Sequence, residues 1–261
     1  MSAVALELPR ADLLKLRKRR GLVAVVALLT VGAAAITYAV IELLHVANPA
    51  KYGPAGGVTN LGHVALLLTM LGTAAAAIVG STAGSGDLDA GVYRDLVVTG
   101  RSRLALFGSR LAGGLTFLLP LVAAAYALAA AASVLLAGSE ALPGTHLMVV
   151  TGLWVLLEVT FYYLLAIGIS CLIGSRSYTI GIVLAFRLAI TPLVASIGAL
   201  GVVRELVPGV ALQTLMPTSL GDAARQGPQI GMSVAAVAAV LVVWTVLGLV
   251  SGAWRDTTRD A

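Results

Sequence analysis

Six long apolar runs separated by polar connections set the pattern of this chain, at about residues 22–45, 61–83, 106–137, 147–173, 178–203 and 229–251. Runs of about 20 apolar residues can cross a hydrocarbon core of about 30 Å as helices. Helix is the required form, because unpaired backbone N–H and C=O groups are too costly in lipid. The first run follows a basic segment but exceeds the roughly 7–15 residues of a secretory signal core, so it reads as a retained span. The third run is longer than one crossing. Arg103 and Arg110 place its start in the cytoplasm or the interface, with the inward part beginning near Leu111.

Two connecting segments carry patterns of their own. Between Leu6 and Arg20, leucines 6, 13, 14 and 16 stand among basic residues, with Pro9 near the start. This predicts an amphipathic helix over 1–21 at the interface, apolar side in lipid and Arg/Lys toward headgroups; a basic tail that only sets topology is the simpler alternative. The fifth connection, Arg204 to Pro228, contains Pro208, Pro217 and Pro228 around the apolar stretch Gly209–Met216, which is too short to span. A re-entrant or surface-lying external helix is expected there, with a plain loop as the alternative. The chain divides into that first helix, one transmembrane domain over 22–251 and a tail over 252–261.

Composition agrees with the pattern. The 261 residues are 59% hydrophobic and 11% charged, against about 25% charged in soluble domains, and mean hydropathy is +0.99. The net charge of +5 comes from residues beside the spans. No aromatic-basic or zinc-finger spacing accompanies it, so a nucleic-acid partner is not expected and a collar facing membrane lipid is. Thirteen Lys/Arg residues fall on the side of the termini and of the second and fourth connections, three on the other side, and Arg187 within a span. That excess predicts that both termini are cytoplasmic. The preference for Arg over Lys and the abundance of Ala suit a GC-rich bacterial genome, hence a bacterial plasma membrane.

Several chemistries lack their residues. A nucleotide-binding P-loop needs Gly-Lys before Ser or Thr, and Lys15, Lys18 and Lys51 never follow Gly. His45, His63 and His146 form no metal-ligand spacing, so no metal site is expected. No histidine follows His146, which disfavours an intramembrane serine protease. Cys171, the single cysteine, has no intrachain partner and reads as a small buried hydrophobe.

The most informative stretch is the connection from Gly84 to Arg103, followed by Arg110, which mixes acids, glycines and arginines. Leu88, Val92 and Leu96 share one face of a short amphipathic helix able to dock on a protein. Gly91 would allow close backbone approach and Gly100 would end the helix. This stretch resembles the permease subunits of ABC-2 type transporters, whose loop reads roughly Glu-x-Glu-x-Gly-Thr, two apolar residues, a turn, Ser-Arg and a Lys. Here it runs Asp87-Leu-Asp89-Ala-Gly91-Val92, then Leu96-Val97, Thr99-Gly100, Ser102-Arg103 and Arg110. Both acids are Asp, Val92 replaces Thr, Gly100 stands at the usual proline and Arg110 at the Lys. With a basic interfacial helix before span one, six spans and a long external connection before span six, the resemblance covers nearly the whole chain.

The resemblance implies an all-α exporter subunit in which this loop is a coupling helix seated in a separate P-loop ATPase. Asp87, Asp89, Gly91, Tyr93, Arg94 and Asp95 are then candidates for the ATPase contact; a solvated turn whose acids balance nearby arginines is the simpler alternative. ATP and Mg would be held by that partner and not by this chain. A second permease subunit, identical or related, would complete the translocation path. A membrane scaffold binding a cytosolic protein, or an ATP-independent secondary transporter or channel, are the rival readings.

Two ionisable residues fall inside spans, where each costs at least a few kcal/mol unless it faces protein or water. Glu158 in span four and Arg187 in span five differ in expected depth by roughly 9 Å, a gap that an extended arginine could bridge. They read either as a structural ion pair, with Arg187 alternatively snorkelling, or, from the resemblance, with Arg187 on the translocation path meeting an anionic or polar substrate group. Glu42 and His63 lie near outer span ends and suggest no special role.

Overall fold

The computed structural model describes residues 3–91, 102–220 and 230–258, and among these every regular element is helical. Six helices are long and apolar enough to cross a membrane: α2 (Arg20–Ala47), α3 (Gly57–Asp89), α4 (Arg103–Leu135), α5 (Thr145–Ile173), α6 (Arg176–Ser196) and α8 (Val234–Thr258). They are joined by α1 (Ala3–Lys18) before α2, and by α7 (Pro208–Thr214) between α6 and α8. All six expected runs are present, with displaced ends.

The displacements have local causes. α6 stops at Ser196 because Ile197 turns extended (ψ 91°), and a 3-10 stretch, Gly198–Leu206, follows. Within α6 a π-helical turn at Phe186–Ile190 precedes Pro192, which cannot donate to the helical ladder; Thr191 Oγ1 donates to the Phe186 carbonyl at 2.9 Å. α8 runs on to Thr258, so the segment expected as a tail from 252 is helical through that residue and buries Asp256. α3 extends through Asp87, Leu88 and Asp89, which puts Leu88 in its last turn and not in a separate amphipathic helix. No proline interrupts α3, and Gly80, Gly84 and Gly86 are buried against neighbours that hold them helical.

Helices α3 and α5 form the centre, and small residues bring them together. A Cβ at Gly72 would lie 2.7 Å from Val159 Cγ2, one at Gly80 2.7 Å from Ala166 Cβ, and one at Gly84 2.7 Å from Ser170 Cβ. With Ala76 between them these residues recur every four positions, a small-residue stripe that lets two backbones approach and gain dispersion contact in lipid. Ser170 Oγ donates to Ser81 O at 3.0 Å along the same seam. On the other side of α5, Gly168 meets Gly248 and Gly252 of α8, where an added Cβ would sit 2.3 Å from the Gly248 carbonyl oxygen. The remainder of α8 is largely exposed and apolar, as are stretches of α2 and α6.

α1 is helical as expected, with a different use of its apolar side. Leu16 is buried and Leu13 packs on the core, while Leu14 stays exposed. A Cβ at Gly113 of α4 would clash with Asp12 Cβ, at 2.8 Å, so α1 lies directly across the start of α4. At the opposite end of the bundle, Gly56 N donates to Leu136 O at 2.8 Å and Val58 N to Ala141 O at 3.0 Å, closing the first and third connections onto each other.

Candidate functional site

The start of α2, α4 and α6 and the end of α3, α5 and α8 gather at one end of the bundle, together with α1. This basic end holds a network drawn from distant parts of the chain. Lys15 of α1 bridges Asp12 at 3.0 Å and Asp87 of α3 at 3.4 Å. Asp12 also accepts from Ser109 Oγ of α4 at 2.6 Å. Asp89 lies one turn from Ser85, whose hydroxyl donates to it at 3.5 Å. Ala90 and then Gly91, at φ +70°, close α3; that left-handed conformation suits glycine, and an added Cβ meets nothing within 4 Å among the described residues. Gly91 thus follows the C-cap of α3. Tyr93, Arg94 and Asp95, the other loop residues singled out by the resemblance, lie outside the described residues, as do Val92, Leu96 and Gly100.

Where the loop returns, Ser102 caps α4 by accepting from Ala105 N at 3.2 Å. Arg110, expected at an interface, is instead 4% exposed and held by protein. Its guanidinium pairs with Asp256 of α8 and donates to Gly84 O of α3 at 3.1 Å. Arg103 donates to the Asp256 and Thr257 carbonyls at 3.4 and 3.0 Å, where the open C-terminal end of α8 favours a cation. Tyr163 of α5 donates to the Arg110 carbonyl at 3.0 Å. Spans two, three, four and six are thus tied at this end through one buried arginine. Asp256 escaped the sequence reading because only its neighbourhood in space is special; the available signal was an acid and a base flanking two apolar runs.

The second candidate lies within the spans. Arg187 donates to Glu158 Oε1 through Nε at 2.8 Å and Nη2 at 2.7 Å, and both residues are buried. The depth gap between them closes because α6 begins at Arg176, which cuts the mismatch to about 6 Å. Arg187 sits in the π-helical turn of α6, a departure from regular helix that is often found at functional positions. Glu158 Oε2 has no hydrogen-bond partner among the described residues, so the carboxylate is half used. One turn outward, Trp154 Nε1 donates to Leu212 O of α7 at 2.9 Å. Pro208–Leu212 is buried, and Gly209 packs so closely on Thr191 that a Cβ would approach its Oγ1 to 2.4 Å. The segment expected to be re-entrant or surface-lying is therefore a short helix buried against α6 and α8, beside the intramembrane pair.

The two candidates lie on helices that pack against each other. α3 carries Asp87, Asp89 and Gly91 at its tip and the small-residue seam along its length; α5, across that seam, carries Glu158. In comparisons with known proteins, no family model and no curated protein matches this chain.

Proposed function

We propose that this chain is the permease subunit of an ATP-driven exporter of the ABC-2 type, forming half of a translocation path and coupling to a separate P-loop ATPase. The observation that carries this reading is the position of exposed Asp89 and Gly91, with part-buried Asp87 beside them, at the end of α3, the helix most deeply packed in the bundle. A partner gripping that tip from the cytoplasm would move a rod about 50 Å long whose far side is keyed into α5. The partner holds ATP and Mg; this chain has no lysine in a phosphate-binding loop.

In this mechanism closure of the ATPases tilts α3. The Gly72, Gly80 and Gly84 contacts carry the tilt to α5, and the Glu158–Arg187 pair carries it to α6. Arg187 is the group that meets a polar or anionic part of the substrate when its hold on Glu158 loosens. The exposed apolar sides of α2, α6 and α8 leave surface for lipid and for a second permease subunit.

Expression with its neighbouring genes tests the reading directly. The chain is expected to bring down a P-loop ATPase, and Asp89→Lys or Gly91→Leu to lower both transport and ATPase stimulation while membrane insertion stays normal. A chain that is stable and transports with no ATPase associated, or normal transport in both variants, overturns it.

A further inference from the structure

At the basic end, two arginines meet one face of α3, and among the described residues no carboxylate pairs with either. Arg19 stands at the corner between α1 and α2, and its two terminal nitrogens lie 3.7 and 3.6 Å from where a Cβ on Gly86 would be. The guanidinium thus stands at van der Waals distance from the Gly86 position. One turn back along α3, Thr82 Oγ1 accepts from Arg176 Nη2 at 2.9 Å, and Thr82 Cγ2 is 3.8 Å from the same Gly86 position. Thr82 and Gly86 are separated by a rise of about 6 Å, so the two arginines contact α3 at positions one helical turn apart.

Among the described residues neither cation has an ion pair, and Arg176 Nε is buried without an acceptor. Of the described acids nearby, Asp12 pairs with Lys15 and accepts from Ser109, Asp87 pairs with Lys15, and Asp89 accepts from Ser85. Arg176 also opens α6, whose preceding Ser175 makes no side-chain cap, so the positive end of that helix adds to the field. Two like charges beside a low-dielectric bundle repel unless an anion sits between them.

We propose that Arg19 and Arg176, seated on Thr82 and Gly86, form a binding site for the phosphate of an anionic phospholipid headgroup. Planar guanidinium groups match phosphate oxygens in two-point contacts. A lipid is favoured over soluble phosphate because each arginine stands at the foot of a span. The turns that follow expose apolar side chains, Val25 and Leu28 after Arg19 and Tyr178 and Ile182 after Arg176. Arg19 also lines the cleft that contains Lys15 and Asp87, so an occupied site would brace α1 and α2 against the end of α3. The site does not depend on the exporter reading and needs no ATPase.

The test uses the full chain in detergent, with mixed micelles of phosphatidylglycerol or phosphatidylcholine, read by native mass spectrometry and by thermal midpoint. Phosphatidylglycerol is expected to be retained about tenfold to thirtyfold better than phosphatidylcholine, two arginines each contributing at an anionic surface. Arg19→Gln with Arg176→Gln should abolish the preference, Thr82→Val should weaken it without changing charge, and Lys18→Gln should leave it intact. Retention unchanged in the arginine variant overturns the site. Equal protection by inorganic phosphate alone overturns the lipid as its source. A wild-type chain with no lipid preference, in which the arginine variant instead loses a co-purifying protein, overturns the proposal in favour of a protein carboxylate.

Discussion

Arg110 on α4 pairs with Asp256 near the end of α8, 146 positions along the chain, and both side chains are almost completely buried. Removing either partner takes a buried ion pair away from the other. Asp256→Ala is expected to destabilise by about 3–5 kcal/mol, read as a lower thermal midpoint of the purified protein. Arg110→Met combined with Asp256→Leu should recover much of that loss, because an apolar pair leaves no charge buried. A double variant as unstable as the single would deny the pair its place in the bundle.

Glu158 and Arg187 obey the same arithmetic within the spans. Glu158→Gln strands Arg187 and should destabilise by about 3–5 kcal/mol. Arg187→Gln leaves Glu158 able to take up a proton and should cost less, and under the proposed exporter function it should alter transport rate or substrate preference. Unchanged transport and preference in Arg187→Gln would assign the pair to structure alone.

The glycine seams predict a position-dependent pattern. Gly80→Val and Gly168→Val put side-chain atoms into Ala166 and the Gly248 backbone and should each cost about 1–3 kcal/mol or more. Gly181→Ala in α6 meets nothing within 4 Å and should be neutral or stabilising by up to about 1 kcal/mol. Detergent-resistance midpoints of the three variants check the pattern; similar losses in all three would mean that the close helix contacts do not stabilise the bundle.

Trp154 anchors α7 through one hydrogen bond to the Leu212 carbonyl. Trp154→Phe keeps most of the packing and should cost about 0.5–1.5 kcal/mol for the lost hydrogen bond, since the Leu212 carbonyl keeps its bond from Leu215 N at 3.2 Å. It should also speed proteolytic nicking between Leu206 and Thr218. Nicking no faster than in the wild-type chain would mean that this bond does not hold the segment.

The six spans and the basic end could be read directly from the sequence, because crossing a bilayer demands long apolar runs and because Lys and Arg collect beside them. The capping of α4 by Ser102 and the ending of α3 at Gly91 were also written locally, in residue types suited to those backbone positions. Tertiary structure decided which charges meet. Nothing local distinguishes Arg110 from Arg103, yet Arg110 is buried on Asp256; and Glu158 reaches Arg187 only because α6 starts two residues before its hydropathy rises. The same holds for the seams: glycines in apolar runs carry no partner's name, and only the crossing of α3, α5 and α8 turns Gly80 or Gly168 into a site where one methyl group will not fit. Local patterns depend on solvent and backbone, which every residue feels alone, whereas ion pairs and close contacts depend on which helices lie side by side.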